Sequence, residues 1–130
     1  MILNPNDTVR DARLVLLKSL LEASGNGYLR ILDGTMPTDT SGAVTTTLVE
    51  FTLGNPIGTL ASHTLTFNLP DIAVVSNAGT ATWCRLYSAS GVALLDGDCG
   101  LAASSAFCKM SAVALGAGAY VSVTSLALSN

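Results

Sequence analysis

The stretch that decides the fold reads Gly79-Thr80-Ala81-Thr82-Trp83-Cys84-Arg85-Leu86-Tyr87-Ser88-Ala89-Ser90-Gly91-Val92-Ala93-Leu94-Leu95-Asp96-Gly97. It contains two apolar-rich runs joined by small residues. Alternation in the first run places Trp83, Arg85 and Tyr87 on one face of a strand. Ser90-Gly91 provides a residue that adopts positive φ at the bend. We therefore predict a β-hairpin in which Trp83, Arg85 and Tyr87 anchor a sheet.

The rest of the chain is predicted to form one helix and further short strands. Helical periodicity runs over about residues 8–24, and Gly25-Asn26-Gly27 ends it. Turn residues then recur at a spacing of roughly ten residues over about residues 28–128, which is typical of a sandwich or barrel. The further predicted strands are 28–32, 46–53, 63–69, 72–75, 106–115 and 120–128. A chain of 130 residues fits a single domain, residues 1–130.

The predicted helix carries more apolar residues than one sheet face requires. At about 100° per residue, one stripe comprises Val9, Ala12, Leu16, Leu17 and Leu20 and is predicted to face the sheet. Three further apolar residues, Leu14, Val15 and Leu21, lie on its flanks. We predict that these three contact another subunit.

The composition indicates a protein covered by partners. Charged residues make up 12% of the chain, hydrophobic residues 49%, and the mean hydropathy is +0.52. A membrane span needs about 20 consecutive apolar residues, and the sequence has no such run. Residues 1–5 do not resemble the start of a signal peptide, so we expect synthesis in the cytoplasm. A net charge of −3 with scattered Lys and Arg argues against nucleic acid as a partner.

The sequence offers no pattern typical of catalysis. His63 is the single histidine, and a structural role is predicted for it. Asp96-Gly97-Asp98 is interpreted as a turn rather than a calcium loop. The cysteines Cys84, Cys99 and Cys108 lack C-x-x-C spacing and are predicted to be reduced, buried thiols rather than a disulfide. We therefore predict no catalytic residue, no cofactor and no metal site, and the protein is not expected to be an enzyme.

One binding alternative stays open at this point. Trp83 and Tyr87 share a face and could form a stacking platform for a carbohydrate, although such pairs more often cover a sheet.

The order of motifs resembles a family of small virion proteins encoded among the head and tail genes of tailed bacteriophages. After the helix come Tyr28-Leu29-Arg30-Ile31-Leu32-Asp33-Gly34-Thr35-Met36-Pro37, then Leu53-Gly54-Asn55-Pro56, then residues 79–87 with Gly91 and Asp96-Gly97, and finally Val121-Ser122-Val123-Thr124-Ser125-Leu126. The resemblance implies a mainly β fold, an antiparallel β-sandwich of jelly-roll type with one N-terminal amphipathic helix.

The same resemblance implies a function and a location. Proteins that look like this often act as capsid cement or decoration proteins, which bind the major capsid protein at the capsid surface of the virion. A homo-oligomer, a dimer or higher, is the expected state. A tail, baseplate or fibre-associated structural protein is the alternative within the virion.

Overall fold

The computed structural model describes residues 6–23, 25–70 and 72–129. Within these ranges the chain forms one helix, α1 (Asp7–Glu22), followed by twelve strands. The strands are β1 (Tyr28–Leu32), β2 (Thr47–Thr52), β3 (Gly58–Ala61), β4 (Thr64–Phe67), β5 (Ala73–Val74), β6 (Gly79–Thr80), β7 (Trp83–Tyr87), β8 (Ala93–Leu101), β9 (Cys108–Met110), β10 (Ala114–Leu115), β11 (Tyr120–Val121) and β12 (Val123–Ser129).

Eight of these strands form one curled sheet in the order β2-β1-β7-β8-β9-β12-β4-β3. Neighbouring strands are antiparallel except for β8 and β9, which run parallel. Two short antiparallel pairs, β10 with β6 and β11 with β5, complete the architecture. The predicted fold class, a mainly β sandwich-like protein with one N-terminal helix, is confirmed.

The core lies inside the curl of the sheet. Alternating residues of β1, β2 and β4 supply large apolar side chains to it, among them Leu29, Ile31, Phe51 and Leu65, all fully buried. The helix closes this core from one side through contacts with β3 and β4. Burial of alternate residues explains why Val, Ile, Leu and Phe recur at a period of two in these strands.

The hairpin in the opening stretch is confirmed as β7 paired with β8, with Gly91 at a φ of 89° in the connection. Asp96-Gly97, however, was wrongly predicted as a turn, because both residues lie within β8. Asp96 stays in the strand by pairing with Arg85 across the ladder. Gly97 leaves room for the ring of Phe107, which lies where a β-carbon would point.

Three further strand predictions need correction. The stretch 106–115 is divided into β9 and β10, and the stretch 120–128 into β11 and β12; in both cases the two parts pair with different partners. The hairpin of β3 and β4 was not predicted, and its turn holds Ser62 and His63 at φ values of 51° and 62°. Those positive φ values carry no glycine signal in the sequence, so the turn could not be recognised from residue type.

The helix begins as predicted, and its end differs by a residue or two. Asn6 is the N-cap, and its side-chain oxygen accepts a hydrogen bond from the backbone N–H of Val9 at 3.0 Å. The helix ends at Glu22 with Ala23 as the C-cap, whereas the predicted end at Ser24 lies outside the described residues.

The helix faces are rotated relative to the prediction. Leu14 and Leu21 are 2% and 0% exposed and pack into the core, so these two are not subunit contacts. The stripe predicted to face the sheet is instead largely exposed, including Leu16 and Leu20. Leu17 lies between the two faces and packs against the core in part, while Val15 is exposed as expected.

Polar contacts explain this rotation. The Glu22 carboxylate accepts hydrogen bonds from the backbone N–H of Ile57 at 2.7 Å and from Lys18 at 2.9 Å. Burial raises the pKa of Glu22, but the hydrogen bonds and the charge of Lys18 outweigh it and leave the pKa lowered. Asp11 contacts His63 on the β3–β4 turn at 3.0 Å. The charged side of the helix therefore lies along the sheet edge.

Candidate functional site

Four charged residues form a row across β2, β1, β7 and β8. Glu50 lies opposite Arg30, Arg30 opposite Arg85, and Arg85 opposite Asp96. Two arginines that face each other across a ladder repel, and each therefore needs its own carboxylate. Arg30 Nε lies 2.9 Å from Glu50 Oε1, and Arg85 Nε lies 2.6 Å from Asp96 Oδ1.

The two ion pairs differ in their exposure to water. The side chains of Arg85 and Asp96 are 4% and 8% exposed, whereas those of Arg30 and Glu50 are 35% and 47% exposed. Arg85 also donates from Nη2 to Asp96 and from Nη1 to the carbonyl of Gly42, each at 3.0 Å. The hydrogen bond to Asp96 raises the pKa of Arg85. The loop that contains Gly42 thus covers this part of the sheet.

The aromatic residues of the same face are enclosed as well. Trp83 is 1% exposed, its Nε1 donates to the carbonyl of Asp33 at 2.8 Å, and the guanidinium of Arg85 lies 5.1 Å from its ring centre. Tyr87 stacks on Tyr28 with ring centres 4.8 Å apart. The buried indole offers no stacking platform to a sugar. The carbohydrate interpretation therefore loses the residue on which it depended.

His63 connects the β3–β4 turn to the helix. Its Nδ1 lies 3.0 Å from Asp11 Oδ1, and its Nε2 lies 3.6 Å from Asp7 Oδ2. The hydrogen bond with Asp11 and the charges of both aspartates raise the pKa of His63. These two contacts hold the β3–β4 turn against α1.

The three cysteines of the chain meet in the core, and we call them the cysteine cluster: Cys84, Cys99 and Cys108. Cys84 lies in β7 opposite Gly97 of β8, Cys99 lies two residues further along β8, and Cys108 of β9 lies opposite Cys99. All three Sγ atoms lie within 4.8 Å of one another. Each cysteine is a free thiol, with Cys84 and Cys108 buried and Cys99 partly exposed.

The thiols of the cysteine cluster interact through hydrogen bonds. Those that Cys84 and Cys99 donate to the sulfur of Cys108 lower the pKa of Cys108 to about 5. The pKa values of Cys84 and Cys99 are raised, chiefly by the hydrogen bond of each with Cys108, and burial and the charge of Cys108 add to the effect.

A second notable surface is apolar and exposed. Leu16 is 61% and Leu20 44% exposed on α1, and Val92 at the β7–β8 turn is 56% exposed. A shallow cleft of about 180 Å³ lies between the two elements and is lined by Leu20, Ala23, Val92 and Leu94 together with Ser88 and Ser90. We call the residues Leu16, Leu20, Ala23, Val92 and Leu94 the helix–turn patch.

Comparison of the chain with protein-family models, curated proteins and solved structures gave no match. Among the described residues, the helix is too short and too polar to cross a membrane. Function must therefore be inferred from the surfaces and side chains of this chain alone.

The sequence did not predict the cysteine cluster or the helix–turn patch. The cysteines are distant in sequence and lack metal-ligand spacing, so only the pairing of β7, β8 and β9 brings them together. Leu16 and Leu20 were recognised as one stripe, but their exposure depends on how the helix is rotated. A search for cysteines on strands that share one face could have found the cluster.

Proposed function

We propose that this protein is a virion structural protein, a capsid cement or decoration protein that binds and stabilises the assembled major capsid shell. The observation that carries the proposal is the helix–turn patch, in which three large apolar residues are 44–61% exposed on adjoining elements. Contiguous apolar surface of this kind marks a protein interaction site. We propose that the helix–turn patch binds a subunit of the shell.

The sequence supports the same occupant in two ways. Charged residues make up only 12% of the chain, which suits a protein whose surface is largely covered by other subunits. The motif order resembles that of small virion proteins of tailed bacteriophages. Within this order, Trp83, Arg85 and Tyr87 make ring and ion-pair contacts that pack the sheet.

Cementing requires only selective binding. A protein that binds the assembled shell, and not its dissociated subunits, stabilises the shell by its binding free energy at every occupied position. Burial of the apolar patch contributes to that free energy, and the costs of association and of ordering interface side chains reduce the net value. The mechanism thus uses a surface and requires no reacting group.

Copy number tests the assignment within the virion. Particles produced from the genome that encodes this chain are purified, and the ratio of this chain to the major shell subunit is measured by quantitative mass spectrometry. We expect a fixed ratio set by the symmetry positions of the shell. A few copies per particle would favour the tail, baseplate or fibre alternative, and absence from the particle would overturn the proposal.

A binding experiment tests the patch itself. The variant Leu16→Ser/Leu20→Ser is added to particles that lack this protein, and co-sedimentation is measured against the unmodified chain. We expect bound protein to fall by more than about tenfold, since two apolar anchors are lost. The matched control is Leu101→Ser, because Leu101 is 49% exposed at the far end of β8. Equal binding by all three proteins would remove the patch from the interface.

A further inference from the structure

The cysteine cluster has the composition and placement of a metal centre. Its members come from three adjacent strands and lie on the core-facing side, where Cys84 and Cys108 are 0% exposed. They are also the only three cysteines in the sequence. Three soft ligand atoms therefore converge on one point from three separate elements.

The distances suit a metal ion better than a disulfide. The three Sγ atoms lie within 4.8 Å of one another. Sulfur atoms around one zinc ion, each about 2.3 Å from the metal, lie about 3.8 Å apart in a tetrahedral site. A disulfide requires a separation of about 2.05 Å and would leave the third thiol unused. An upper limit of 4.8 Å is therefore close to the sulfur spacing that one metal ion requires.

The thiol ligands favour soft cations, and the surroundings leave a route of entry. The ring of Phe107 lies over Gly97, the strand neighbour of Cys84, and stands edge-on to Phe67 with ring centres 6.5 Å apart. Thiolates in such an apolar environment select soft ions over Mg²⁺ or Ca²⁺. Cys99 is the partly exposed member, so an ion and a fourth ligand such as water can reach the cluster from its side.

We propose that Cys84, Cys99 and Cys108 bind one thiophilic metal ion, Zn²⁺ or Cu⁺, through three thiolate ligands. The ion ties β7, β8 and β9 together at the only parallel junction of the eight-stranded sheet formed by the described residues. Its positive charge compensates the thiolates, which would otherwise be costly to bury. The site is independent of the helix–turn patch and of the proposed function.

The test uses the full chain, reduced and stripped of metal with a chelator under anaerobic conditions. Zn²⁺, Cu⁺ or Co²⁺ is added separately, excess ion is removed, and metal and protein are quantified. We expect one ion per chain, and for Co²⁺ a thiolate-to-metal charge-transfer absorption. Retention of Zn²⁺ or of Cu⁺ decides which of the two ions the site prefers.

Variants separate ligand loss from a general disturbance of the core. Cys99→Ala is the main variant, since Cys99 is the least buried ligand. It should weaken binding by more than about 100-fold, because even residues that only orient a ligand affect metal affinity by roughly 10–100-fold. Met110→Leu is the control, as Met110 is a fully buried sulfur-containing residue two positions from Cys108 in β9. It should retain one ion per chain.

Folding is followed in parallel by circular dichroism and thermal melting. Metal should raise the melting temperature of the unmodified chain and of Met110→Leu, and leave that of Cys99→Ala unchanged, since only the native ligand set binds the ion. Failure of the folded, reduced chain to retain any of the three ions would overturn the proposal. So would retention of one ion by folded Cys99→Ala.

Discussion

Asp96 and Glu50 are carboxylates at the two ends of one row of charges, and burial separates their roles. Asp96 neutralises an arginine that is 4% exposed, whereas Glu50 pairs with one that is 35% exposed. Removing one partner of a buried pair leaves an uncompensated charge, and removing one partner of an exposed pair leaves a solvated one. Burial therefore decides how much each carboxylate contributes to the free energy of unfolding.

We predict that Asp96→Asn lowers the free energy of unfolding by about 3–5 kcal/mol, since Arg85 would remain buried without its counter-charge and opposite Arg30. Urea denaturation followed by the fluorescence of Trp83, the single tryptophan, measures the change. The matched control Glu50→Gln should cost less than about 1 kcal/mol. Equal effects of the two substitutions would contradict the assigned burial.

His63 provides a pH-dependent contact between residues of two elements. Its pKa is raised by the hydrogen bond with Asp11, by the charge of Asp11 and by that of Asp7. Desolvation and the charge of Arg10 offset part of this increase. A group with a raised folded-state pKa stabilises the fold fully below its unfolded pKa of about 6.5, and the contribution is lost as pH rises through the folded-state pKa. The contact should therefore weaken as the pH rises above about 6.5 and through the raised pKa of His63.

NMR titration of the single histidine measures this prediction directly. We expect the pKa of His63 to lie above its ordinary value in the unmodified chain and to fall toward that value in Asp11→Asn. Asp39→Asn is the control, since Asp39 interacts instead with Ser41 in a distant loop. An unchanged His63 pKa in Asp11→Asn would contradict the contact.

At the scale of the element, the helix illustrates how polar contacts select a face. Its sequence has enough apolar residues for two surfaces, and either could cover the sheet. The hydrogen bonds from Ile57 to Glu22 and between His63 and Asp11 place Leu14 and Leu21 inward. The remaining apolar stripe is left toward solvent, and two of its residues, Leu16 and Leu20, belong to the helix–turn patch.

Leucine-to-alanine substitutions test the helix orientation without altering helix propensity much. Leu14→Ala and Leu21→Ala should each lower the free energy of unfolding by about 2–5 kcal/mol, because each leaves a cavity in the core. Leu16→Ala should change it by no more than about 0.5 kcal/mol, because Leu16 is 61% exposed. Chemical denaturation compares the three. A larger loss of stability for Leu16→Ala than for Leu14→Ala and Leu21→Ala would instead support burial of the stripe that the sequence predicted to face the sheet.

At the scale of the whole molecule, low charge and an exposed apolar patch predict that the isolated chain associates with itself. We expect the isolated chain to form a dimer or a higher oligomer, since burial of the patch between copies removes apolar surface from water. Light scattering coupled to size-exclusion chromatography measures the mass. Leu16→Ser/Leu20→Ser should shift it toward the monomer and Leu101→Ser should not. A stable monomer of the unmodified chain would contradict the prediction.

The sequence by itself determined the β7–β8 hairpin, the mainly β class and the surplus of apolar residues on the helix. These follow from local rules, namely side-chain alternation in strands, glycine at a positive φ and helical periodicity. Only the tertiary structure decided which helix face is buried and that Cys84, Cys99 and Cys108 meet. Periodicity identifies which residues share a face but not the direction that the face takes, and contacts between distant residues depend on strand order.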